Sequence, residues 1–497
     1  MEFDSIFQIQ QAAYLDGALE PYQCRMDILL KFEKVFKKYS QDLCSALVLD
    51  LHKSQRQSEL SEIEPVIHEL NYFKKNLKFL MKPQKVKQSL IFKNTTSQLI
   101  PRPIGPSLII SPFNYPVNLA FVPLIGAFAA GCPVTLKGSP QTPNILKVFE
   151  LIAREFPDKL FCFFMDHTQL LPRPFSCVFF TGSIPVAKII QAQCAQYLNR
   201  CVLELGGVNP VFLGKCNKKQ ASYQISLGKF FNAGQTCIAP NFICVTPDTE
   251  SVVNDIIKIV EQKFKTNEHI CKIISKEKYA YLEDVVKTRK IIYQHSFLDK
   301  ENLIYPITLI EVDKTDELLT QELFGNVLPI VKFKSLNDQI QWYRETFYVP
   351  NLQCRPLAAY LFTDMKQEKE YFMRNISAGA LSINQVLLYQ ISQLPFGGVG
   401  QSGIGNYHGI ETFKVFSHYQ PLLWVQKHKM FGLGYAINSF VANSTLPPMR
   451  KNPEFFMKIG LNLPGLSFMH NVKIISLVFL VLWALGTTAG LIYLLVK

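Results

Sequence analysis

Short apolar runs, each ended at once by turn-forming residues, recur along this chain from residue 107 onwards. The runs are Ser107–Ile110, Val134–Leu136, Ser176–Phe180 and Val202–Leu205. The turns that end them are Ser111-Pro112, Lys137-Gly138, Thr181-Gly182-Ser183 and Gly206-Gly207. Buried strands that alternate with helices are typical of a mostly parallel sheet. The pattern therefore predicts an α/β fold whose ligands bind at these turns, the carboxyl ends of the strands.

The segments on either side of these runs complete the outline of the fold. Residues 22–80 have apolar side chains at three- and four-residue spacing, which predicts helices. Within them, Glu59–Leu70 is predicted as a further helical stretch that Pro65 breaks early. From Tyr223 to Tyr360 the mixed pattern of strands and helices returns, so we expect a second α/β domain there.

Composition limits the class of protein. The 497 residues suggest two to four domains, and 48% hydrophobic against 18% charged residues exclude disorder as the main state. The first residues lack the basic and apolar regions of a signal peptide, and early acidic residues argue against a transit peptide. None of the twelve cysteines forms a Cys-x-x-Cys pair. We therefore expect a reducing compartment, no redox motif and no bound metal.

The basic excess of the chain predicts an anionic partner. Lys and Arg number 52 against 39 Asp and Glu, a formal net charge of +13. Nucleic acid, an acidic membrane surface or a negatively charged cofactor would each suit this excess. The sequence has no recognised nucleic-acid-binding motif and no arginine-rich or aromatic–basic repeat, so we expect no nucleic-acid partner. Residues 421–473 carry six basic residues and one acidic residue, which favours a membrane surface.

The end of the chain predicts a membrane anchor. Ile474–Val496 is a run of 23 uncharged residues, long enough as a helix to span the ~30 Å hydrocarbon core of a bilayer. Because only Lys497 follows it, we expect a tail anchor inserted after synthesis, with the preceding chain in the cytosol. Gly486 and Gly490 form a small-residue pair suited to packing two spans together. The short basic end favours the mitochondrial outer membrane, with the endoplasmic reticulum or peroxisomes as alternatives.

Four positions suggest chemistry, and each also has a plainer interpretation. Thr181-Gly182-Ser183 opens a helix and suits a phosphate, although a single glycine is more typical of a tight turn. Glu204, at the end of an apolar strand, suits a general base or an ion pair with a lysine. Cys237 follows a turn that can present a thiol, although most cysteines are inert buried hydrophobes. Asn114, between two prolines, suits an oxyanion donor or an Asx turn.

The motifs around these positions have a distinctive length and order. They are PIGPSLIISPFNYPVNLAFVPLIGAFAAGCPVTLKGSP (103–140), FTGS (180–183), LELGGVNP (203–210), FNAGQTCIAP (231–240), QELFGNVLPI (321–330), RPLAAYLFTD (355–364) and LPFGGVGQSGIGNYHG (394–409). Over about residues 25–425 the chain resembles the aldehyde dehydrogenase superfamily. Within it, the chain is most similar to the class 3, or fatty aldehyde, branch and its fungal tail-anchored hexadecenal dehydrogenases.

The resemblance implies a division of the chain. The implied fold is α/β, with a Rossmann-like cofactor domain, an α/β catalytic domain, a small oligomerisation arm and a C-terminal transmembrane helix. The expected boundaries are 1–203 for the cofactor domain, 204–410 for the catalytic domain, 411–473 for a bridging and membrane-proximal segment and 474–496 for the anchor. An oligomerisation strand is expected near 85–105, and the assembly is expected to be a homodimer.

The resemblance also implies three catalytic roles. Cys237 matches the family nucleophile, which attacks the aldehyde to give a thiohemiacetal and then a thioester. Asn114 matches the amide that holds the oxyanion together with the Cys237 backbone N–H. Glu204 matches the general base that activates water to release the carboxylic acid. A thioester intermediate of this kind is readily hydrolysed, as covalent catalysis requires.

NAD is the implied cofactor, with NADP possible. Lys137 matches the residue that contacts the adenosine ribose, and Gly182 and Ser183 match the pyrophosphate turn. Glu322 matches the ligand of the nicotinamide ribose, and Phe324 matches a wall beside that ribose. The remaining implied cofactor-binding residues are Val186, Ala187 and Leu205.

One departure from the family pattern bears on the choice of cofactor. Pro140 stands where the family usually has a glutamate that holds the ribose hydroxyls. Without that carboxylate a 2′-phosphate would meet less repulsion, so NADP stays open beside NAD. Ala187 stands where the branch commonly has a glycine.

The predicted anchor bears on the substrate. A membrane-bound enzyme meets aldehydes that partition into lipid, so we expect long-chain fatty aldehydes such as hexadecenal. The apolar stretch Asn452–Phe468 is expected to lie on the membrane near the substrate entrance or, equally, against a partner subunit. An aromatic aldehyde, such as a hydroxybenzaldehyde used in quinone synthesis, is the alternative substrate. The alternative functions are an inactive membrane scaffold and a cofactor-independent cysteine esterase; the scaffold is disfavoured because all three catalytic residues are present.

Overall fold

The computed structural model describes residues 3–87, 95–164, 173–266, 270–296, 298–387 and 394–425. The predicted anchor and membrane-proximal segment after residue 425 lie outside these ranges. Within them, no helix combines the length and the apolarity needed to cross a membrane. The chain divides into two compact units, Met1–Met81 with Arg102–His418 and Lys82–Pro101 with Tyr419–Lys497.

Helices and strands alternate through most of the first unit. The α-helices are α1 (Phe3–Leu15), α2 (Tyr22–Leu51), α3 (Gln55–Ser58), α4 (Glu64–Leu80), α5 (Asn118–Ala130), α6 (Pro143–Arg154), α7 (Ile184–Tyr197), α8 (Lys218–Phe230), α9 (Ser251–Lys263), α10 (Lys276–Lys287), α11 (Leu336–Tyr343), α12 (Lys366–Asn375) and α13 (Ile410–Val415). The strands are β1 (Gln84–Lys85), β2 (Thr95–Pro103), β3 (Ser107–Ile110), β4 (Val134–Lys137), β5 (Phe161–Phe163), β6 (Cys177–Thr181), β7 (Arg200–Glu204), β8 (Pro210–Leu213), β9 (Phe242–Val245), β10 (Lys290–Gln294), β11 (Thr308–Glu311), β12 (Val327–Lys332), β13 (Ala358–Phe362), β14 (Ala380–Ile383), β15 (Gly403–Ile404) and β16 (Ser417–Val425). Two π-helical turns, Glu59–Ile63 and Arg344–Tyr348, and 3₁₀ turns at Phe231–Gly234, Glu317–Thr320 and Gly400–Ser402 complete the set.

The four apolar runs of the sequence become neighbouring strands of one sheet. Its order is β15-β7-β6-β3-β4-β5, and every pair is parallel except β15 with β7. Strands β3 and β6 are buried along their whole length. Parallel strands with covered faces need apolar residues at consecutive positions, which is why these runs show no alternation. The predicted α/β fold is thereby confirmed.

A second sheet of seven strands follows in the chain. Its order is β10-β11-β12-β9-β8-β13-β14, and only β10 with β11 is antiparallel. The sheet draws on residues from Pro210 to Ile383, so the segment predicted over 223–360 falls short at both ends. Strands β8 and β14, of four residues each, lie just before and just after the predicted range.

The chain returns to the first sheet late in its course. Strand β15 pairs with β7, with Gly403 opposite Glu204. The segment expected to be the catalytic domain, 204–410, therefore also supplies an edge strand of the first sheet. The sequence could not predict that the chain returns to this sheet, because the two residues of β15 are too few to form a recognisable pattern.

A helical layer buries one side of the first sheet. Helix α5 is apolar on all sides and buried from Ala120 to Ala130, as a helix without a polar face must be. Its Phe121 ring lies 5.3 Å from the Phe32 ring and 5.7 Å from the Phe36 ring of α2, measured between centroids. The helices predicted over residues 22–80 are present as α2, α3 and α4.

Pro65 does not break the helical stretch in which it lies, contrary to the prediction. The π-helical turn Glu59–Ile63 leads directly into α4, which begins at Glu64 with Pro65 in its first turn. A first-turn N–H has no partner within the helix, so the proline ring costs little there. The turn also directs the Glu62 side chain inward, where it is fully buried.

The second unit has its own small sheet. It carries β1 and most of β2 and β16, which lie in the order β1-β2-β16. Strand β1 is antiparallel to β2, with Gln84 opposite Leu99. Strand β2 falls within the region expected to be an oligomerisation strand, and its part in assembly stays a prediction.

Candidate active site

A cavity of about 740 Å³ lies at the carboxyl ends of β3, β4, β6 and β7. The turns after these strands form one side, and the segments around Cys237 and Glu322 contribute the rest. Ten of the eleven site residues predicted from the sequence line this cavity; the exception is Ala187. Residues far apart in the chain are thus gathered in one place, while their chemical roles stay predictions.

The turn that precedes Cys237 is built from three consecutive left-handed residues. Asn232 and Ala233 both have φ of 53°, and Gly234 has φ of 71°. A Cβ at Gly234 would lie 2.3 Å from the Gly325 carbonyl oxygen, so only glycine fits this close approach of two backbones. The turn ends α8 abruptly and brings the next residues, including Cys237, to the cavity wall.

Buried amides hold this turn and the thiol-bearing residue. The Asn232 side chain donates to the carbonyls of Asn114, at 2.9 Å, and Gln235, at 3.1 Å. The Asn209 side chain donates to the Cys237 carbonyl at 2.8 Å and accepts the Ala358 N–H of β13 at 2.9 Å. Asn232 and Asn209 are buried, so loss of either set of bonds would leave polar groups with neither a protein partner nor water. These bonds therefore fix the position of the Cys237 backbone.

Asn114 approaches the thiol-bearing turn from the first sheet. It follows β3, is buried, and its Nδ2 donates to the Gln235 carbonyl oxygen at 2.9 Å. An amide nitrogen carries two hydrogens, so one remains for a ligand in the cavity. An Asx turn, the plainer interpretation of Asn114, would use the amide oxygen, so this hydrogen bond from Nδ2 does not bear on it.

The electrostatic surroundings of Cys237 disfavour its thiolate. Burial raises the pKa of the thiol far above its usual range, and the negative charges of Glu322 and Glu204 raise that pKa further. The backbone N–H groups of Cys237 and Ile238 lower the same pKa. Since the thiolate is the nucleophilic form, attack is favoured when the neighbouring carboxyls are neutral.

Glu204 ends β7 with its carboxyl group in a fully buried position. Only 2% of the residue is exposed, and burial raises the pKa of this carboxyl well above its usual range. Neither carboxyl oxygen has a hydrogen-bond partner among the residues that the structure describes. The ion pair with a lysine considered from the sequence is therefore not formed there. A buried carboxyl without a counter-charge can take up a proton near neutral pH, as a general base must.

Glu322 is the second carboxyl of the cavity, and two lysines accompany it. Burial raises its pKa to about 7, against the lowering effects of the Gly207 N–H, Lys278 and Lys229. Its Oε1 accepts the Gly207 N–H at 3.2 Å, and a Cβ at Gly206 would lie 2.0 Å from that same oxygen. The Gly206-Gly207 pair thus lets the carboxyl approach the end of β7.

Lys229 belongs to the same electrostatic group. The side chain is buried, and burial together with the charge of Lys278 lowers its pKa to about 7. Burial also lowers the pKa of Lys278, which lines the cavity. Glu322 and Lys229 thus both have a pKa of about 7, so each can gain or lose a proton near neutral pH.

The turn after β6 leads into α7, and residues at this junction line the cavity. Ser183 is the N-cap residue of α7, and Gly182 bonds through its N–H to the Glu204 carbonyl at 3.1 Å. Val186 lines the cavity, and 45% of it is exposed. A helix N-terminus of this kind favours a phosphate group.

Ala187 is placed away from the cavity, unlike the other residues predicted to bind the cofactor. It is 1% exposed, and its methyl group packs in the apolar cluster that contains Ile110, Phe180 and Leu203. Its N–H is bonded to the Ser183 carbonyl within the helix at 3.0 Å. The residue faces the sheet because the first turn of α7 presents one side to the core, so any effect on a ligand is indirect.

The cavity fits the dinucleotide that the resemblance implies. Thr181 and Glu204 present buried polar atoms that have no hydrogen-bond partner within the described ranges. Lys137, Ser183 and Glu322 lie along the same cavity. No cluster of three or more His, Cys, Asp or Glu side chains is placed to hold a metal in this part of the chain.

An aromatic pair forms part of the cavity wall. The ring of Phe324 meets the ring of Phe113 edge to face, with centroids 5.9 Å apart. Phe324 has φ of 43°, a strained value for a large residue and one typical of functional sites. Leu205 and Pro140 add further apolar surface to the same cavity.

Several residues of the site were not predicted from the sequence. Gln235 and Asn232 are the amides that fix the turn, and Lys229 and Lys278 are the lysines near Glu322. The motif FNAGQTC contains Asn232 and Gln235. Two amide side chains on either side of a glycine could therefore have indicated a hydrogen-bonded turn. The two lysines had no such signal, because a buried lysine looks like any other in a sequence.

Known proteins resemble this chain in sequence. The sequence model of the aldehyde dehydrogenase family matches residues 1–421. Aldehyde dehydrogenase family 3 member B1 of Bos taurus is 32% identical over 433 residues, which cover 85% of this chain and 91% of that protein. The dimeric NADP-preferring aldehyde dehydrogenase of Canis lupus familiaris is 30% identical over 434 residues, covering 85% and 94%.

A solved structure supports the same relationship. The substrate-bound state of AldH from Staphylococcus aureus superposes with a TM-score of 0.82 at 29% sequence identity. The match covers 88% of this chain and 99% of that one.

Proposed function

The chain belongs to the aldehyde dehydrogenase family and is an NAD(P)-dependent aldehyde dehydrogenase, and we propose that Cys237, Asn114 and Glu204 carry its reaction. The observation that carries this proposal is the meeting of the three residues in one cavity, although they come from three separate segments of the chain. The mechanism below assigns one task to each residue.

Cys237 forms the covalent bond to substrate. Its sulfur attacks the aldehyde carbonyl carbon, and the carbonyl π electrons move to the oxygen to give a tetrahedral thiohemiacetal. Because the pKa of the thiol is raised, the thiolate forms only as the sulfur attacks, and the thiol proton passes to water in the cavity. A neutral Glu322, whose pKa is about 7, removes one of the two charges that oppose this step.

Asn114 stabilises the oxygen that becomes negative. One Nδ2 hydrogen is committed to the Gln235 carbonyl, so the amide is held in orientation while the other hydrogen faces the ligand. A fixed donor needs no reorganisation as charge develops, which is the main source of catalysis at such sites. When bound, the nicotinamide supplies the acceptor for the two electrons and the hydrogen that leave the carbon.

Glu204 completes the cycle by hydrolysis. The remaining thioester is attacked by water, whose proton Glu204 accepts, and the carbon–sulfur bond breaks to free the carboxylic acid. Isolation of this carboxyl from other partners supports the role, because a base already engaged in an ion pair would be weaker. Lys137, Gly182, Ser183, Val186, Leu205, Glu322 and Phe324 are proposed to hold the cofactor in the same cavity.

We propose long-chain, apolar aldehydes as the substrates. A second cavity of about 200 Å³ is built on α8 and on the residues that lead into the Cys237 turn. Four aromatic residues help to line it: Tyr223, Phe230, Phe231 and Phe264. This apolar surface on the segment that delivers the nucleophile suits an acyl chain better than a polar aldehyde.

A ladder of aldehydes tests both parts of the proposal. Reduction of NAD and NADP is followed with aldehydes from two to sixteen carbons and with hydroxybenzaldehydes, using Cys237→Ser as the inactive control. Replacement of Leu227, a partly exposed lining residue, by Gln should raise KM for the longest aldehydes about tenfold and spare the shortest, because it removes roughly 1.4 kcal/mol of apolar contact.

Leu151 offers a matched control, since it is exposed to the same extent as Leu227, 43%, but lies on α6 away from this cavity. Leu151→Gln should leave every KM unchanged. Equal effects of the two substitutions would remove the second cavity from the proposal. Faster turnover of hydroxybenzaldehydes than of any long aldehyde would replace the long-chain substrate by the aromatic alternative. Lack of cofactor reduction with every aldehyde would reject the proposed roles altogether.

We also propose that the enzyme is a homodimer anchored in a membrane by Ile474–Val496, with its catalytic part in the cytosol. The uncharged terminal run and the basic stretch before it support the anchor. The mitochondrial outer membrane is the proposed location, with the endoplasmic reticulum and peroxisomes as alternatives. The name of the dimeric relative in dog supports the assembly.

A further inference from the structure

A fully buried ion pair lies beneath the segment that carries Asn114. Lys53, just after α2, is 1% exposed, and Glu62, in the π-helical turn, is 0% exposed. The Lys53 Nζ and the Glu62 Oε1 are 2.5 Å apart. Two charges withdrawn from water are costly unless further hydrogen bonds accompany them, so the partners of this pair show what the pair holds.

Lys53 directs its remaining contacts to two adjacent residues. Its Nζ donates to the backbone carbonyl of Asn114 at 2.8 Å. The same Nζ lies 4.1 Å from the centroid of the Tyr115 ring, a cation–π contact in a desolvated setting. The ammonium group thus contacts the backbone of one residue and the side chain of the next.

Glu62 holds the continuation of the same segment. Its Oε2 accepts the N–H groups of Val117, at 3.0 Å, and Asn118, at 2.9 Å, where α5 begins. Val117 has no capping side chain of its own, so the buried carboxylate satisfies the start of this helix and complements its dipole. Asn118 also donates to the Ser61 carbonyl at 3.1 Å, which ties the helix start to the π-helical turn.

The held segment meets the nucleophile on its other side. Asn114 Nδ2 donates to the Gln235 carbonyl at 2.9 Å, and the Tyr115 hydroxyl lies 2.6 Å from Thr236 Oγ1. Both partners immediately precede Cys237 in the chain. Residues 114–118 therefore lie between the buried charges and the thiol-bearing turn, with polar contacts to both.

We propose that the Lys53–Glu62 ion pair positions the Asn114 amide, and through it the oxyanion that forms on Cys237; this rests on the role proposed above for Asn114. Among the described residues, every side-chain hydrogen bond that the pair makes outside itself goes to Asn114, Val117 or Asn118. Stability alone does not account for such a pair, because well-packed apolar residues often stabilise a core equally well. What apolar residues would lack is the ability to bind three backbone groups at fixed positions. Lys53 and Glu62 are thus positioning residues.

A double-mutant cycle separates positioning from general stability. The rate of the first turnover of bound NAD with a long aldehyde is measured for Lys53→Met, for Asn114→Ala and for the combination. Asn114→Ala removes the oxyanion donor and should slow this step about 10²–10³-fold. Lys53→Met displaces the donor and should slow it about 10–100-fold in the parent enzyme, but less than threefold when Asn114 is already Ala.

Two further variants keep the test decisive if Lys53→Met fails to fold. Glu62→Gln keeps the size of the side chain and removes its charge. Like Lys53→Met, it should slow the first turnover in the parent enzyme but have little effect once Asn114 is Ala. Glu69→Gln is the matched control, because Glu69 of α4 is another buried carboxyl that binds a backbone N–H, that of Gly409 at 2.8 Å. Glu69→Gln should change the first-turnover rate less than twofold.

The outcomes are distinct. Equal slowing by Lys53→Met or Glu62→Gln in both backgrounds, or slowing by Glu69→Gln of the same size, would overturn the positioning role while leaving the proposed function intact. An unchanged first turnover in Asn114→Ala would overturn the role of Asn114 and, with it, the positioning role. Selective slowing that disappears in the Asn114→Ala background supports the proposal.

Discussion

At the scale of single residues, burial decides the chemistry of this cavity. The pKa values of Cys237, Glu204 and Glu322 are all raised, in each case chiefly because the group is removed from water. Protonation of one group makes negative charge on the others easier, since a proton on either carboxyl lowers the cost of charge on the thiol. Before substrate binds, these three side chains thus carry little negative charge. Negative charge develops instead on the substrate oxygen during the reaction.

Glu204→Gln should lower activity and raise stability. Loss of the base should slow hydrolysis of the thioester about 10²–10⁴-fold. The folded protein holds a proton on Glu204 over a pH range in which the unfolded chain does not, so native stability falls as pH rises from the usual glutamate pKa to the raised one. Glutamine has no such proton, so its stability advantage should grow with pH by up to about 1.4 kcal/mol per unit.

Urea unfolding of the two proteins at pH 5, 6, 7 and 8 measures this difference. An advantage for the Gln variant that is constant across this range, or that shrinks as pH rises, would contradict the raised pKa. In the parent enzyme, acid release should increase with pH through the same range, because only the deprotonated carboxyl accepts a proton from water.

At the scale of elements, the left-handed turn Asn232–Gly234 connects the fold to the chemistry. It ends α8, requires a glycine where two backbones meet, and is secured by the Asn232 amide. The motif around Cys237 therefore describes a backbone shape as much as a set of reactive groups. A cysteine with the same neighbours but without this turn would not reach the cavity.

Gly234→Ala should destabilise the protein by about 2–4 kcal/mol, through left-handed strain and contact with the Gly325 carbonyl. Activity per folded molecule should also fall, because relief of the contact moves Cys237. Gly17→Ala is the control: Gly17 has nearly the same φ, 70°, but a Cβ there meets only the flexible end of Glu20 at 3.2 Å. That change should cost about 1 kcal/mol and leave turnover intact.

Thermal unfolding and turnover of both variants provide the comparison. Similar losses of stability at the two positions would show that backbone strain alone matters and that the contact with Gly325 relaxes easily. Full turnover in Gly234→Ala would show that Cys237 does not depend on this turn.

At the scale of the whole molecule, the sequence predicted the parts with continuous patterns and missed those that depend on distant pairing. Runs of apolar residues were sufficient for β3, β4, β6 and β7, since parallel strands need them. The return of β15 to β7 and the burial of Lys53 with Glu62 were not visible, because each depends on residues that meet only after folding. Pro65 was misjudged because a proline's effect depends on its position within a helix, which the sequence alone left open.

Removal of residues 426–497 should separate membrane binding from catalysis. The shortened protein should no longer float with vesicles that contain anionic lipid, because it lacks the uncharged terminal run and most of the basic stretch before it. Its KM for long aldehydes presented in vesicles should rise, while kcat/KM for short, soluble aldehydes stays within about twofold. Continued flotation of the shortened protein would place the membrane contact elsewhere in the chain.

The late pairing of β15 with β7 also has a consequence in time. When the ribosome has completed β7 at Glu204, the strand's outer edge has no neighbour until residues 403–404 are made. At 5–20 residues per second this interval lasts roughly 10–40 s, during which the open edge can recruit another chain. The edge of β7 is therefore open to pairing with another chain for much of synthesis, and slow translation between these two strands lengthens that exposure.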